Sequence, residues 1–517
     1  MKCAHLSVVF FVTVVISLLL SVQTASGQSQ TSSAIRGVVL IADDTPIVGA
    51  TVIVRHAQTG VEKGSLSNAD GRFLLLLLQP GGPYELTISY LGYSDLTVEG
   101  IQLQVGETQT LTIYLTESAI EVEGIAVNVE RDEIFNPGQV GPATLLNERM
   151  VESVPILSRD VMELANLSPL VKTTENGGFS IAGQNDRYNQ ILIDGVTNKD
   201  AFGLTAGGVP GGQAGAKMLP IDAVAQYEIL VAPFDVRLSG FTGGVMNAVT
   251  KTGTNDWNLR AFGVGRHEAL MGDLSLPTGL VNATGVDRSL FGFSAGGPII
   301  RDRAHFFIST EFEERRQPPT GFNLLRDAPS LVQVTDESMG AFQQLFQNQF
   351  GVDTGLSGPY ALEQDLANIF ARVDATVAQG HRLTARTVLA SANNEEAPNR
   401  AAFEPYELSS NAVLRNSQTT NTSIQLFSEL GARGGNELEF SIQRTTDETT
   451  PSSPWPQVEV ELRSPVGNGT SYSRAVRAGS QFFAQENDLV QTSYRFQNTV
   501  TLPTQGGSTY TLGLLAS

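Results

Sequence analysis

Short runs of alternating apolar and polar residues recur along most of the chain, and they predict a protein built mainly from β-strands. Within the first quarter, such runs cover residues 49–54, 84–88 and 111–115, residues 74–78 form a continuous apolar run, and turn residues separate these segments. The sequence Asn-Ala-Asp-Gly at 68–71 is typical of a hairpin turn, because glycine readily adopts positive φ. Short strands at this spacing, without helical periodicity, predict an all-β sandwich.

Longer alternating segments follow Trp257 and predict a different kind of sheet. In residues 369–377 every second residue is apolar, and in residues 437–443 the apolar positions alternate with polar ones in the same way. Long strands with a period of two, separated by turns and longer polar loops, are typical of a transmembrane β-barrel, although soluble sandwiches alternate as well. We count about nine or ten such strands, and we expect Phe306 and Phe307 in an aromatic girdle at the membrane interface.

One connection between these strands is much longer than the others. Residues 315–360 contain proline pairs and a helical pattern over 341–349. Because periplasmic turns of outer-membrane barrels are short, this segment predicts an extracellular loop.

The N-terminus predicts export. Lys2 precedes an apolar run over 6–22, and Ala25-Ser26-Gly27 provides the small residues of a signal-peptidase site, so residues 1–27 are predicted to be a cleaved signal peptide. A transmembrane anchor is the less favoured alternative, because the run is short and no basic stop-transfer cluster follows it. Cys3 is the only cysteine and would leave with the signal. No later segment reaches the roughly 18 apolar residues of a spanning helix, so membrane insertion would require a barrel.

Charge and composition exclude several function classes. A formal net charge of -20 and a pI of about 4.7 argue against nucleic-acid binding, which needs a basic surface. The five histidines include no His-x-x-Glu pair, so a zinc peptidase is not expected, and we predict no catalytic residue, metal or cofactor. The glycine pairs at 207–208 and 211–212 lack the following Gly-Lys-Ser/Thr of a phosphate-binding loop.

The N-terminal motifs resemble the carboxypeptidase regulatory-like domain. They are GxV at 37–39, PxxGAxVxV at 46–54, DGxF at 70–73, and the PGxYxLxxxxxGY stretch at 80–93 with one extra glycine. The resemblance covers residues 28–117 and implies a transthyretin-like β-sandwich, a fold also described as carbohydrate-binding-like. Tyr90 and Tyr93 fit core positions of that family rather than an exposed glycan platform.

A second set of motifs, in the family's order, resembles the plug domain of TonB-dependent receptors. These motifs lie at 154–155 with Leu164 and 167–169, then at 180–184, 191–196, 221–230 and 243–251. The resemblance implies an α+β plug over residues 131–253, with a helical stretch over 159–166. The motif residues carried over from the family are Asp194, Gly195, Glu228, Gly243, Gly244, Asn247, Thr250 and Lys251.

Residues 232–244 depart from the pattern of siderophore receptors. Together with the preceding sandwich and the segment 292–307, they resemble the Oar-like subgroup of TonB-dependent receptors. The resemblance implies that residues 254–517 form the first part of an antiparallel transmembrane β-barrel, and it leaves the ligand and the ligand-binding residues open. Since a plugged outer-membrane transporter has 22 strands, we expect this chain to be a C-terminally truncated receptor.

The linker 118–130 is the expected place of a TonB box, the segment that pairs as a strand with the periplasmic energiser. A plain linker strand is an equally supported alternative. The candidate residues are Glu121, Val122, Glu123, Gly124, Ile125, Ala126, Val127, Asn128 and Val129.

Together these resemblances imply an outer-membrane receptor that takes up an unidentified ligand with energy from TonB. The implied partners are the TonB energising complex, outer-membrane lipid, the barrel-assembly machinery and a surface lipoprotein, with no nucleic acid. Two alternatives remain open: an Oar-like outer-membrane protein for adhesion or protein export, and a glycan-binding surface module.

Overall fold

The computed structural model describes residues 31–117 and 143–517, with gaps inside the second range. The gaps are at 157, 175–177, 206, 234–236, 271–273, 277–278, 282–285, 318–332, 359, 397–404, 432–433, 468, 483–485 and 505–508. The predicted signal peptide and the candidate TonB box therefore lie outside the described residues.

The first unit, called the sandwich below, consists of two small sheets. One sheet has the order β4-β1-β7, in which β1 is antiparallel to β4 and parallel to β7. The other has the order β3-β2-β5-β6 and is antiparallel. The strands are β1 Ser33–Leu40, β2 Thr51–His56, β3 Glu62–Leu66, β4 Arg72–Leu78, β5 Gly81–Ser89, β6 Leu96–Leu103 and β7 Thr108–Tyr114.

Because side chains alternate along a strand, every second side chain points between the two sheets, as the sequence predicts. Val52, Leu86 and Ile88 are fully buried there, and every member of this core lies between Ile35 and Leu115. At the predicted hairpin turn, the Asn68 side chain accepts hydrogen bonds from the amides of Asp70 and Arg72.

The second unit, called the plug below, is a mixed sheet covered by short helices. Its five strands have the order β12-β11-β14-β13-β8, and β10 pairs with β9 beside them. The strands are β8 Ala143–Leu146, β9 Val171–Thr173, β10 Phe179–Ile181, β11 Gln190–Ile193, β12 Val196–Thr197, β13 Val224–Val231 and β14 Gly244–Thr250.

The helices of the plug are all short. Helix α1 covers Glu148–Ser153, and its N-terminus is capped by the Asn147 side chain, which accepts from the amide of Met150. The helical stretch expected over 159–166 is a 3₁₀ helix, Val161–Leu167, capped by Asp160. Further 3₁₀ turns are Asp186–Tyr188, Gly212–Ala214 and Ile221–Ala223.

The third unit, called the barrel sheet below, is a nine-stranded antiparallel meander within the described residues. Its order is β15-β18-β19-β20-β21-β23-β24-β27-β28. The strands are β15 Asn258–His267, β18 Asp287–Ile300, β19 Ala304–Gln317, β20 Leu362–Ala378, β21 His381–Glu396, β23 Val413–Glu429, β24 Gly435–Pro451, β27 Asn487–Pro503 and β28 Thr509–Ala516. Among the described residues, no helix is long and apolar enough to cross a membrane.

The two ends of the barrel sheet differ in their connections. At one end, here called the short-turn end, tight turns follow β18, β20 and β23. At the other, the long-loop end, the connections contain further strands and a helix. Part of this additional structure has its own apolar core. The additional structure comprises β16 Leu274–Leu276, β17 Gly279–Val281, α2 Asp336–Phe350, β22 Tyr406–Glu407, β25 Val458–Gly467 and β26 Thr470–Ala478, with 3₁₀ turns at Glu268–Leu270 and Ser409–Asn411.

Helix α2 confirms the helix predicted over 341–349 and extends it at both ends. Thr335 caps its N-terminus, and Gly351, with φ 66°, ends it.

The faces of the barrel sheet follow the predicted alternation, with polar side chains toward the plug. On β20, Asn368, Arg372 and Asp374 are buried on the inner face, whereas Val373 and Val377 are exposed on the outer face. The prediction for Phe307 is wrong. Its side chain points inward and is 7% exposed, because it packs against the plug core rather than at an outer girdle.

Candidate functional site at the plug–barrel interface

A two-residue turn at the centre of the plug brings several predicted motif residues together. Asp194 and Gly195 have φ of 48° and 74° and join β11 to β12 as an Asp-Gly hairpin turn. The Asp194 carboxylate accepts hydrogen bonds from the Thr250 amide at 2.8 Å and the Thr250 hydroxyl at 2.7 Å. The Gly195 amide donates to the Asn247 side-chain oxygen at 3.1 Å. The turn is therefore fixed to β14 by side chains of the same motif set.

The barrel sheet completes this cluster with two arginines. Asp194 lies 3.3 Å from Arg386 Nε and 3.5 Å from Arg372 Nη1, and all three side chains are buried. Arg372 also forms an ion pair with Asp374 at 2.7 Å. Because an isolated buried charge is strongly unfavourable, each of these groups depends on its partners. We call Asp194, Thr250, Arg372, Arg386 and Asp374 the central charge cluster.

Backbone contacts strengthen the same junction. Arg386 donates to the carbonyl of Ile193 at 2.7 Å, and Gln425 donates to the carbonyl of Asp194 at 3.2 Å. Three neighbouring barrel strands, β20, β21 and β23, thus contact a single plug turn.

The remaining predicted motif residues act within the plug. A Cβ on Gly244 would lie 2.7 Å from the Leu230 carbonyl oxygen, and one on Gly243 would collide with the Asn189 side chain, so close approach requires both glycines. Lys251 pairs with Glu148 at 2.7 Å and Glu152 at 3.0 Å, which fastens α1 to the end of β14.

Glu228 lies on β13, where Asn247 and Leu145 are its neighbours on the two flanking strands. The structure therefore does not bring Glu228 into the central charge cluster.

A second group of charges links the plug to the barrel sheet nearer the long-loop end. None of the sequence motifs predicted this group. Arg159 lies 2.8 Å from Glu311 and 3.1 Å from Asp222, and its guanidinium stacks on the Phe262 ring at 3.9 Å. Lys217 contacts Glu313 at 2.8 Å. Glu311 and Glu313 flank the apolar Phe312, and this alternation marks the two glutamates as inward-facing.

Apolar contacts between plug and barrel sheet are fewer. Phe307, Phe370 and Val388 of the barrel sheet belong to the same buried cluster as the plug core. The rings of Phe307 and Phe370 lie 6.3 Å apart. The interface thus combines a small apolar contact with buried polar and charged groups.

The described residues contain no group of three or more His, Cys, Asp or Glu side chains placed to hold a metal ion. The charges at the interface are paired with each other instead. Such an arrangement fixes the position of the plug through paired charges.

Comparison with known proteins supports the predicted resemblances. Residues 34–116 match the carboxypeptidase regulatory-like domain family. The chain is 25% identical over 305 residues to the TonB-dependent transporter Oar of Myxococcus xanthus, an alignment covering 53% of this chain and 26% of that protein. The predicted resemblance to the Oar-like group of TonB-dependent receptors is confirmed. The chain spans about a quarter of the length of this relative.

Solved structures of outer-membrane receptors also match. The outer-membrane transporter YddB from Escherichia coli aligns with a TM-score of 0.47 at 10% identity, covering 70% of this chain and 45% of that one. The ferric enterobactin receptor of Pseudomonas aeruginosa aligns with a TM-score of 0.44 at 14% identity, covering 72% and 48%. The mainly β fold class is confirmed by the strands of the structure itself.

Proposed function

We propose that this chain is the plug-bearing part of a TonB-dependent outer-membrane transporter that takes up a still unidentified ligand. In this proposal the barrel sheet lies in the outer membrane with its short-turn end in the periplasm. The plug occupies the transport path, and TonB displaces it.

The observation that carries the proposal is the central charge cluster. It joins the plug turn at Asp194 to the strands of the barrel sheet through buried ion pairs and hydrogen bonds. A plug that only filled space would be held more stably by apolar packing, since buried ion pairs contribute little net stability compared with well-packed apolar groups. Groups that exchange protein partners for water at moderate cost suit a domain that must leave its place and return.

The polarity of the inner barrel face supports the same function. Asn368, Ser423, Gln425 and Gln443 are buried toward the plug, and Gln443 donates to the carbonyl of Lys199 at 3.0 Å. Once the plug moves, these side chains would line an aqueous path, as polar inner faces of outer-membrane barrels do.

Energy coupling is assigned to the linker that precedes the plug. We propose that residues 121–129 pair as a strand with the periplasmic domain of TonB. A proline inside a pairing strand removes a backbone donor and distorts the edge. Ile125→Pro in the full chain should therefore reduce the affinity for the purified TonB periplasmic domain at least tenfold, measured by isothermal titration calorimetry in detergent micelles.

Asp132→Pro is the matched control, because it introduces the same residue three positions after the candidate segment ends. It should leave the affinity within twofold of the parent chain. Equal loss in both variants, or no loss in either, would remove the assignment of the TonB box and with it the coupling part of the proposal.

A further inference from the structure

The sandwich contacts the short-turn end of the barrel sheet through a partly buried ion pair. Lys63 Nζ lies 2.7 Å from a carboxylate oxygen of Glu429, and its side chain is only 15% exposed. The same ammonium group donates to the carbonyls of Leu76 at 3.2 Å and Leu77 at 3.1 Å. Glu429 ends β23, and its amide donates to the carbonyl of Gly380 in the turn after β20. One lysine of the sandwich is thus joined to two neighbouring turns.

Shape complementarity supports this contact. Leu77 has a positive φ of 57° although it is not glycine, and its side chain is buried. A Cβ added to Gly435, the first residue of β24, would lie 2.8 Å from Leu77 Cδ1. The absence of a side chain at 435 therefore accommodates the leucine of the sandwich. A backbone conformation that is costly for leucine is retained where it fills this site.

Other contacts extend the surface along the short-turn end. The amide of Asn255 donates to the carbonyl of Gln58 at 2.9 Å. On either side of this contact, His56 packs edge-on against Tyr84 within the sandwich, with ring centroids 4.6 Å apart, and the largely buried Arg382 stacks on Phe427 within the barrel sheet at 4.2 Å. We call Gln58, Lys63, Leu77 and their barrel partners Asn255, Glu429 and Gly435 the docking surface.

The sandwich also contacts the plug, at a different place. The side-chain amide of Gln226 accepts a hydrogen bond from the amide of Val105 at 3.1 Å and donates to the carbonyl of Leu103 at 3.2 Å. Gln226 is 7% exposed and lies at an irregularity in the pairing of β13 with β14. The sandwich is therefore hydrogen-bonded both to the barrel sheet and to β13, an inner strand of the plug sheet.

We infer that the sandwich is a latch that holds the plug in the barrel sheet and must undock from the short-turn end before the plug can be displaced. Because the sandwich bridges the two other units, the plug cannot move relative to the barrel sheet while both contacts persist. The transport role of this latch depends on the function proposed above, whereas the latch itself does not.

A pull on the chain between the sandwich and the plug would act on the latch. Residues 118–142 join β7 of the sandwich to β8, which is the edge strand of the plug sheet and pairs with β13 beside Gln226. Tension on this linker would act on the sandwich at one end and on β8 at the other. Undocking of the sandwich and loss of β8 pairing are therefore the two events that a pull on the linker promotes.

Charge exchange across the docking surface tests the latch without TonB or ligand. In the full chain reconstituted into phosphatidylethanolamine–phosphatidylglycerol vesicles, Lys63→Glu and Glu429→Lys should each raise amide hydrogen exchange roughly tenfold. The rise is expected both in the peptide containing Asn255 and in β13. The double variant restores an ion pair but not the hydrogen bonds of Lys63 to Leu76 and Leu77, so it should recover part of the lost protection in both regions.

A reversible cross-link provides the complementary measurement. Leu77 Cγ, the position that a cysteine Sγ would take, lies 3.1 Å from a Cβ built on Gly435, so cysteines at the two positions come close enough to form a disulfide. Cys3 is the only native cysteine. In the Leu77→Cys/Gly435→Cys variant, oxidation should lower exchange in β13 relative to the reduced form. The control pair Arg55→Cys/Glu62→Cys, on partnered exposed positions within the sandwich, should show no such difference.

The latch is overturned if exchange near Asn255 rises in the charge variants while exchange in β13 stays unchanged, because the sandwich would then undock without loosening the plug. It is equally overturned if the oxidised cross-link leaves β13 unaffected. Neither result alters binding of TonB by residues 121–129, so failure of the latch is distinguishable from failure of the proposed transport function.

Discussion

The sandwich and the plug are of similar size and both rest on β-sheets, yet they are stabilised in different ways. Every member of the sandwich core belongs to the sandwich itself. The plug core includes Phe307, Phe370 and Val388 from the barrel sheet, and its central charge cluster needs Arg372 and Arg386 from the same sheet. The sandwich is therefore a self-contained domain, whereas the core of the plug is complete only when the barrel sheet surrounds it. In the function proposed above, a plug that depends on its surroundings in this way would return to one defined position.

The largest expected effect comes from removing the charge at the centre of the plug. Asp194→Asn leaves Arg386 buried without its nearest carboxylate, and loss of one partner of a buried ion pair costs about 3–5 kcal/mol. Amide hydrogen exchange of β11 and β14 should rise accordingly, while exchange in the sandwich stays at its parental level. Glu163→Gln, at an exposed carboxylate of the plug, is the control and should change neither region. Equal loosening of the sandwich would contradict its independence from the plug.

The opposite experiment destabilises the sandwich alone. Leu86 is fully buried in the sandwich core, and replacing a buried leucine by alanine costs about 2–5 kcal/mol. Leu86→Ala should accelerate exchange throughout the sandwich strands while the domain stays folded and docked, so that β11 and β14 of the plug keep their protection. Leu66→Ala, at a position 65% exposed, should have no measurable effect. Loss of protection in β11 and β14 with Leu86→Ala would show that the two cores are not separate.

Acidification should weaken the contact between the two regions. Burial, followed by the positive charges of His305 and Arg382 in the barrel sheet, lowers the pKa of His56 from 6.5 to about 4. Since the docked state favours neutral His56, docking should be fully stable above pH 6.5 and should weaken as the pH falls from 6.5 toward 4.

The measurement is exchange in the peptide containing Asn255, corrected for the intrinsic pH dependence of amide exchange. His56→Gln should reduce this pH dependence. Docking that is independent of pH between 7 and 4 in the parent chain would show that protonation of His56 does not act on this contact.

The smallest effect is expected from an exposed ion pair of the sandwich. The Arg55 side chain is 47% exposed and lies 3.6 Å from Glu62 and 3.5 Å from Glu85. Solvent screening limits such pairs, so Arg55→Ala should lower sandwich stability by less than about 0.5 kcal/mol in urea unfolding. A loss as large as that from Leu86→Ala would mean that surface charge, rather than the apolar core, stabilises the sandwich.

Several features follow from the sequence because they depend on neighbours along the chain. The period of two in residues 369–377 and 437–443 decides which side chains share a face, and the Asp-Gly pair at 194–195 forms the expected hairpin turn. The apolar alternation of β2 and β5 likewise identifies Val52 and Leu86 as core residues. Each of these outcomes is governed by local backbone geometry, which a sequence pattern reports directly.

Other features were decided only when distant segments met. Phe307 shares the inner face with Glu311, but its burial there depends on the apolar contact that the plug core offers. Arg372 and Arg386 meet Asp194 across nearly 200 residues of chain, and Leu77 fits Gly435 across a still longer separation. Strand order and register decide which partner a buried charge meets and which side chain lies against a glycine. No local pattern of hydrophobic and polar residues encodes strand order or register.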